Sequence, residues 1–214
     1  MTMTFYGHPL SSYCWKVLIA LYEKGAAFDY RQLDWDKPEV QAEFGAIWPL
    51  QKMPALVEDG CTMVESSIII ESLDQRLPDT APLIPREAEA ALEVRLLDRV
   101  FDNYVMTPMQ KVVFDRIRPP EARNPMDVAE GRGQIDKTRA WLETRLAGRD
   151  WAAGKDVSLA DCAAAPSLHY AEKVQPSAGR FPVVEAYLAR LESRPSFART
   201  LEEAKPYAHM FPGE

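Results

Sequence analysis

The stretch HPLSSYCWKV, His8 to Val17, places three candidate nucleophiles within four positions: Ser11, Ser12 and Cys14. It follows a short apolar run and precedes a helical pattern. Cysteine is intrinsically the most nucleophilic of the three. Yet Cys14, Val17, Leu18 and Leu21 fall at i, i+3, i+4 and i+7, the apolar stripe of an amphipathic helix. That spacing turns Cys14 towards a core, where a cysteine behaves as a small hydrophobe and its thiol pKa moves up. The two serines stand at the start of the helix, where hydroxyl donors and free backbone N–H groups can stabilise an anion.

A second anion-binding pattern is VESS, in which Ser66 opens a helix and can combine its hydroxyl with free N–H groups and the positive end of the helix dipole. Taken alone, the same serine reads better as a plain N-cap. Metal chemistry finds no support. Cys14, Cys61 and Cys162 lie far apart with no CxxC spacing, and His169, seven residues after Cys162 and close to Asp161, has no third ligand at metal spacing. We read His169 as packing.

These residues need elements to position them. Thr4 to Tyr6 reads as a strand, the Cys14 stripe as a helix that Gly25 stops, and Phe28 to Leu33 as a second strand. A short helix over 38–44 follows. PALVEDG and TMVE then read as two strands joined by a tight turn at Asp59 and Gly60. A helix from Ser66, with Ile69, Ile70 and Leu73 on its core face, is ended by Pro78. The order is β-α-β-α-β-β-α over residues 1–78. Pro78, Pro82 and Pro85 mark an extended linker over 79–87. From 88 to 214 no convincing strand is found, so this half reads as all-α, with Leu97, Val100, Phe101 and Tyr104 as one helical stripe. In DVSLADC, Ser158 can cap a helix while Asp161 reaches back in a capping box, with Val157 on Cys162 as a hydrophobic staple. The fold class is therefore α+β with two domains.

Bulk properties narrow the partners. The 214 residues carry a formal net charge of −7, and the sequence pI is about 5.1, so the overall field repels phosphate backbones and nucleic acid is a poor partner. An odd number of scattered cysteines fits a reducing compartment. The amino terminus lacks a secretory pattern and VLIAL is far too short to span a bilayer, which makes a soluble cytoplasmic protein with no membrane association the expectation.

Together, the order of elements, the SSYCWKV helix start, KMPALVEDG, VESSIIIESL, the proline-rich linker and the SLAD cap resemble the cytosolic glutathione transferase family over essentially the whole chain. The resemblance implies a thioredoxin-like amino-terminal domain that binds glutathione, a helical carboxy-terminal domain that supplies the electrophile pocket, a homodimer, and no metal or redox cofactor. It also implies that Glu65 and Ser66 take the ammonium and carboxylate of the γ-glutamyl end. A cis Met53-Pro54 bond would present the Met53 backbone to the cysteinyl unit. Lys52, with Gln51, would meet the glycyl carboxylate, although a solvated surface lysine is the alternative reading.

Activating a thiol of pKa about 8.5 by roughly two units requires nearly 3 kcal/mol of thiolate stabilisation. SSYC resembles the CxxC site of thioredoxin-like proteins with serine in place of the first cysteine, which puts the exposed position on Ser11 and the buried one on Cys14. Ser12 is then a second donor or the helix cap. His8 and Leu10 would border the electrophile pocket, His8 as a general base or an ordinary loop histidine. Tyr104 and Met109 would line the pocket or the interdomain core. The tail PYAHMFPGE would fold over the pocket or fray.

SSxxW followed by a basic residue and valine also resembles the zeta class, whose members isomerise maleylacetoacetate or dehalogenate small α-halo acids. Here Tyr13 stands at that motif's third-position cysteine and Cys14 at its fourth-position serine. The expected activity is addition of a glutathione thiolate, stabilised by a serine, to a small electrophile. The alternatives are a zeta-like isomerase, a Cys14-dependent thiol transferase and a non-catalytic interaction module.

Overall fold

A computed structural model describes residues 3–34 and 36–213. Its first part comprises β1 (Met3–Gly7), α1 (Ser12–Glu23), β2 (Phe28–Gln32), α2 (Pro38–Ile47), β3 (Ala55–Glu58), β4 (Cys61–Val64) and α3 (Ser66–Arg76). The strands form one mixed sheet in the order β2-β1-β3-β4. β1 runs parallel to β2 and antiparallel to β3, with Phe5 opposite Tyr30 on one side and Leu56 on the other. Asp59 and Gly60 have φ of 47° and 79°, the positive pair that a two-residue hairpin between β3 and β4 requires. This is the thioredoxin-like arrangement the sequence led us to expect.

At the end of β1, a Cβ on Gly7 would lie 2.8 Å from the Phe5 ring and 2.9 Å from Cys14 Sγ. Only glycine lets α1 close on the strand there. α1 departs from the simple stripe: every residue from Cys14 to Leu21 is buried. The helix packs against α3 of its own sheet domain and is covered by helices of the second half, so it has no solvent face.

That second half comprises α4 (Ala88–Val100), α5 (Thr107–Ile117), α6 (Pro125–Arg145), α7 (Leu159–Val174), α8 (Pro182–Ser193) and α9 (Pro195–Ala204). Among the described residues it holds no strand beyond an isolated bridge between Trp151 and Gly154. A π-helical turn, Phe101–Met106, joins α4 to α5 without leaving helical dihedrals at either junction. Pro108 supplies a reason. It has no N–H for the Tyr104 carbonyl four residues earlier, and that carbonyl accepts the Thr138 hydroxyl at 2.9 Å instead. The wide turn also corrects the expected stripe. Leu97, Val100 and Phe101 are buried, but Val105 takes the next core position and Tyr104 is 52% exposed.

One local feature differs from its sequence reading and another holds and goes further. The proline-rich segment after α3 is anchored: the Asp74 carboxylate accepts the N–H groups of Leu83 and Ile84, and Lys24 Nζ reaches Thr80, the Ala81 carbonyl and Asp74. Leu83 is buried. At the start of α7, Asp161 accepts the Ser158 N–H at 2.9 Å as a capping box demands, but it also takes the Ser158 hydroxyl, the Ala152 N–H and the Tyr187 hydroxyl. One carboxylate thus fastens α7 to α8 and to the preceding loop.

Candidate functional site

The helix start that opens the sequence reading divides its labour clearly. Ser11 is the N-cap of α1, its Oγ accepting the Cys14 N–H at 3.4 Å. Ser12 is the first helical residue and is buried, so the cap that the sequence left open for Ser12 falls on Ser11. Capping occupies a lone pair of Ser11 Oγ and leaves its proton available to donate. Cys14 is fully buried, and burial pushes its thiol up to about 12. His8 Nδ1 accepts the Leu10 N–H at 3.2 Å and burial lowers its pKa, so the imidazole is neutral and engaged in holding its own loop.

Beside this helix start lies a cavity of about 330 Å³ lined by Tyr13, Lys52, Met53, Pro54, Glu65, Ser66, Arg99, Asp102 and Asn103. The Met53-Pro54 bond is cis. Glu65 has φ of 67°, a strained value for a residue with a side chain, of the kind that clusters at binding sites. Glu65, not Ser66, is the N-cap of α3, and its side chain makes no capping bond. The first-turn N–H groups of α3 therefore remain available to an anion beside Ser66. Tyr13 is held as a neutral phenol, its pKa raised to about 12 chiefly by burial.

Other expected site residues lie elsewhere. Gln51 is exposed and its side chain passes over Gly45 of α2. Met109 is 3% exposed in the core, Tyr104 faces outward, and neither lines the cavity. Leu10 borders a separate cavity of about 320 Å³ with Trp15, His169, Tyr170 and Phe211. The carboxy-terminal segment folds back over it: Phe211 stacks on Tyr170 at 5.4 Å, Tyr207 bonds Gln32, and Arg116 donates to the Pro212 carbonyl. His169 pairs with Glu192 at 2.7 Å amid Trp15, Tyr170 and Phe197, which fits its reading as packing.

Sequence reasoning passed over Tyr13, Arg99, Asp102 and Asn103, and above all Lys16. Lys16 is 1% exposed. Its ammonium meets Asp98 and, at 2.8 Å, Asp102, and it donates to the Ser67 hydroxyl at 2.9 Å. Arg99 closes the cluster from the cavity side, contacting Asp98 at 2.7 Å and Asp102 at 2.6 Å. The spacing of Asp98, Arg99 and Asp102 along one helix was the available signal, but such charge runs ordinarily mark a solvated face. Burial raises the Asp102 carboxyl against the lowering effect of Lys16. The cavity wall thus presents two cations, Lys52 and Arg99, and two carboxylates, Glu65 and Asp102. It suits a small ligand carrying both signs of charge.

No group of three or more His, Cys, Asp or Glu among the described residues could hold a metal, and no helix among them is long and apolar enough to cross a membrane. Residues 5–81 match the glutathione S-transferase amino-terminal domain and residues 105–195 the carboxy-terminal domain. Glutathione S-transferase 1 of Dianthus caryophyllus is 31% identical over 170 residues, 78% of this chain and 76% of that one. A probable maleylacetoacetate isomerase of Caenorhabditis elegans is 25% identical over 94% of both chains. The crystal structure of a glutathione S-transferase from Methylobacillus flagellatus with glutathione bound superposes with a TM-score of 0.85 at 26% identity, covering 92% of this chain and 98% of that one. By sequence and by fold, this chain belongs to the glutathione S-transferase family.

Proposed function

We propose that the protein binds glutathione in the cavity beside α1, stabilises its thiolate with the Ser11 hydroxyl and the α1 amino terminus, and adds it to a small electrophile. The observation that carries this reading is the convergence of Lys52, Met53, Glu65 and Ser66 on one cavity whose charges complement a peptide with two carboxylates and one ammonium. The γ-glutamyl carboxylate goes to Ser66 and the first turn of α3, its ammonium to Glu65, the cysteinyl unit to the Met53 backbone and the glycyl carboxylate to Lys52. Ser11 retains a proton to donate, whereas Ser12 is buried. The thiolate is generated without a general base, because preferential hydrogen bonding of the charged form lowers the pKa. The electrophile is held by the helical domain over 88–214, with Leu10 and the tail near its pocket, and residues 1–78 form the glutathione domain. We place the protein in the cytoplasm, as a homodimer joined through Ile68, Leu92 and Leu96, which are apolar yet exposed on α3 and α4.

A second reading, glutathione-dependent isomerisation of a maleylacetoacetate-like compound, is favoured by the likeness to the probable isomerase of Caenorhabditis elegans. A Cys14-dependent thiol transferase is disfavoured by the buried sulfur. One experiment separates these readings: a panel of aryl halides, enones and maleylacetoacetate assayed with and without glutathione, alongside calorimetric titration of glutathione. We expect glutathione binding and conjugation. Isomerisation without conjugate release favours the second reading, and absence of binding favours a non-catalytic module.

A further inference from the structure

The cavity between Leu10 and the returning carboxy-terminal segment is walled by stacked rings. Trp15 lies against Tyr170 with centroids 4.8 Å apart and planes at 27°, and Tyr170 lies against Phe211 at 5.4 Å and 14°. One end of this wall is fixed to the loop that carries Ser11: the Tyr170 hydroxyl donates to the carbonyl of Leu10, the residue before Ser11, at 2.9 Å. The other end carries charge. Lys173, one turn after Tyr170 on α7, holds its ammonium 5.9 Å from the centroid of the Phe211 ring, and no described residue forms an ion pair with it. Lys205 also lines the cavity, but it pairs with Glu202. Glu192, the one carboxylate among the described lining residues, is engaged by His169 at 2.7 Å. The order along the wall is thus Leu10, Tyr170, Phe211, Lys173, from the loop beside Ser11 to an unpaired cation.

Resting on the glutathione reading above, we infer that this cavity takes the electrophile as a flat aromatic body bearing a carboxylate, with Lys173 as the residue that selects the carboxylate. The volume of about 320 Å³ suits a ligand of that size. A ring laid against Tyr170 and Phe211 buries apolar area, while a carboxylate at its far end meets the Lys173 ammonium in a charge-assisted hydrogen bond. The reactive carbon then lies at the Leu10 end, so that carbon and the carboxylate occupy opposite ends of the ring. For a chloromethyl arene the step is a displacement. The glutathione thiolate forms a C–S bond at the benzylic carbon, the C–Cl bond breaks with its electron pair leaving as chloride, and the thiol proton has already passed to solvent. A neutral amide of the same shape keeps the stacking and loses the charge pairing.

The test measures kcat/KM of the full chain with glutathione for para-chloromethylbenzoate and for the neutral para-chloromethylbenzamide, each divided by its uncatalysed rate. We expect the wild type to favour the acid by roughly 5- to 20-fold, between the ranges for an exposed and a buried charge pair. Lys173→Gln should remove that preference, chiefly through a higher KM for the acid, and Lys173→Arg should keep it. Lys173 is exposed, so both variants fold. A fall shared equally by acid and amide in Lys173→Gln marks a structural role and overturns the proposal. An acid preference that survives in Lys173→Gln, or is absent from the wild type, overturns it as well. Calorimetric titration with glutathione separates this failure from that of the underlying reading. Glutathione binding without turnover of either arene overturns the cavity assignment alone, whereas absence of binding removes the glutathione reading on which it rests.

Discussion

Cys14 Sγ is shut away from solvent behind Gly7 and the Phe5 ring, and burial pushes its thiol up to about 12, leaving on the order of one thiolate in 10⁵ at neutral pH. Cys162 is buried as well, and Cys61 is exposed. Alkylation of the native protein at pH 7.5 should therefore label about one thiol rapidly per chain, at Cys61, with Cys14 and Cys162 reacting only on unfolding. Peptide mapping of the labelled protein checks this. Rapid labelling of Cys14 that glutathione blocks would instead support the thiol transferase. Periodicity alone was enough to place Cys14 in the core. It was not enough for Lys16, two positions on, because a buried lysine is expected only with partners, and Asp98 and Asp102 come from a distant part of the chain.

At the scale of elements, α1 is tied to the carboxy-terminal helices by Glu23, which takes both ends of the Arg194 guanidinium at 2.6 Å and the Ser196 hydroxyl. Burial alone would raise the Glu23 carboxyl, but the hydrogen bonds from Arg194 and Ser196 outweigh it and hold the pKa below the ordinary value. The stabilisation is then fully present above the unfolded-state pKa, about 4.3, and is lost as pH falls through the lower folded value. Glu23→Gln should cost about 1 to 3 kcal/mol at pH 7, with the difference from wild type shrinking below about pH 4. Urea midpoints of both proteins at several pH values measure it, and a difference independent of pH would contradict the assignment. The elements themselves were legible from strand alternation, Gly25, Pro78 and the SLAD cap. The π-helical turn was not: it slips the helical register where Pro108 has no N–H for the Tyr104 carbonyl and the Thr138 hydroxyl takes its place, and so moves Tyr104 out of the core and Asp102 and Asn103 to the cavity.

For the whole molecule, Ile68, Leu92 and Leu96 stand 53% to 58% exposed on neighbouring helices that the Glu71–Arg95 pair links at 2.9 Å. Apolar side chains clustered on such a face mark an interaction surface. Light scattering should find a dimer, and Leu92→Glu with Leu96→Glu should give a monomer that keeps its helical content. An undisturbed dimer in that variant would place the interface elsewhere. The two-part architecture could be read from the proline-marked switch between alternating and all-helical patterns. The second cavity, between Leu10 and the returning tail, could not, because its walls come from residues that only the folded chain brings together.

The central claim, that a serine hydroxyl at the α1 amino terminus stabilises a thiolate brought by the substrate, is tested most directly by titrating bound glutathione through its thiolate ultraviolet absorbance in wild type, Ser11→Ala and Ser12→Ala. We expect the bound thiol to ionise roughly two pH units below the free value of about 8.5 in the wild type and in Ser12→Ala. In Ser11→Ala it should return most of the way to the free value, with the fold retained after loss of a cap worth about 1 kcal/mol. An unchanged thiol pKa in Ser11→Ala, with the shift lost in Ser12→Ala, would contradict the claim and move the donor by one residue.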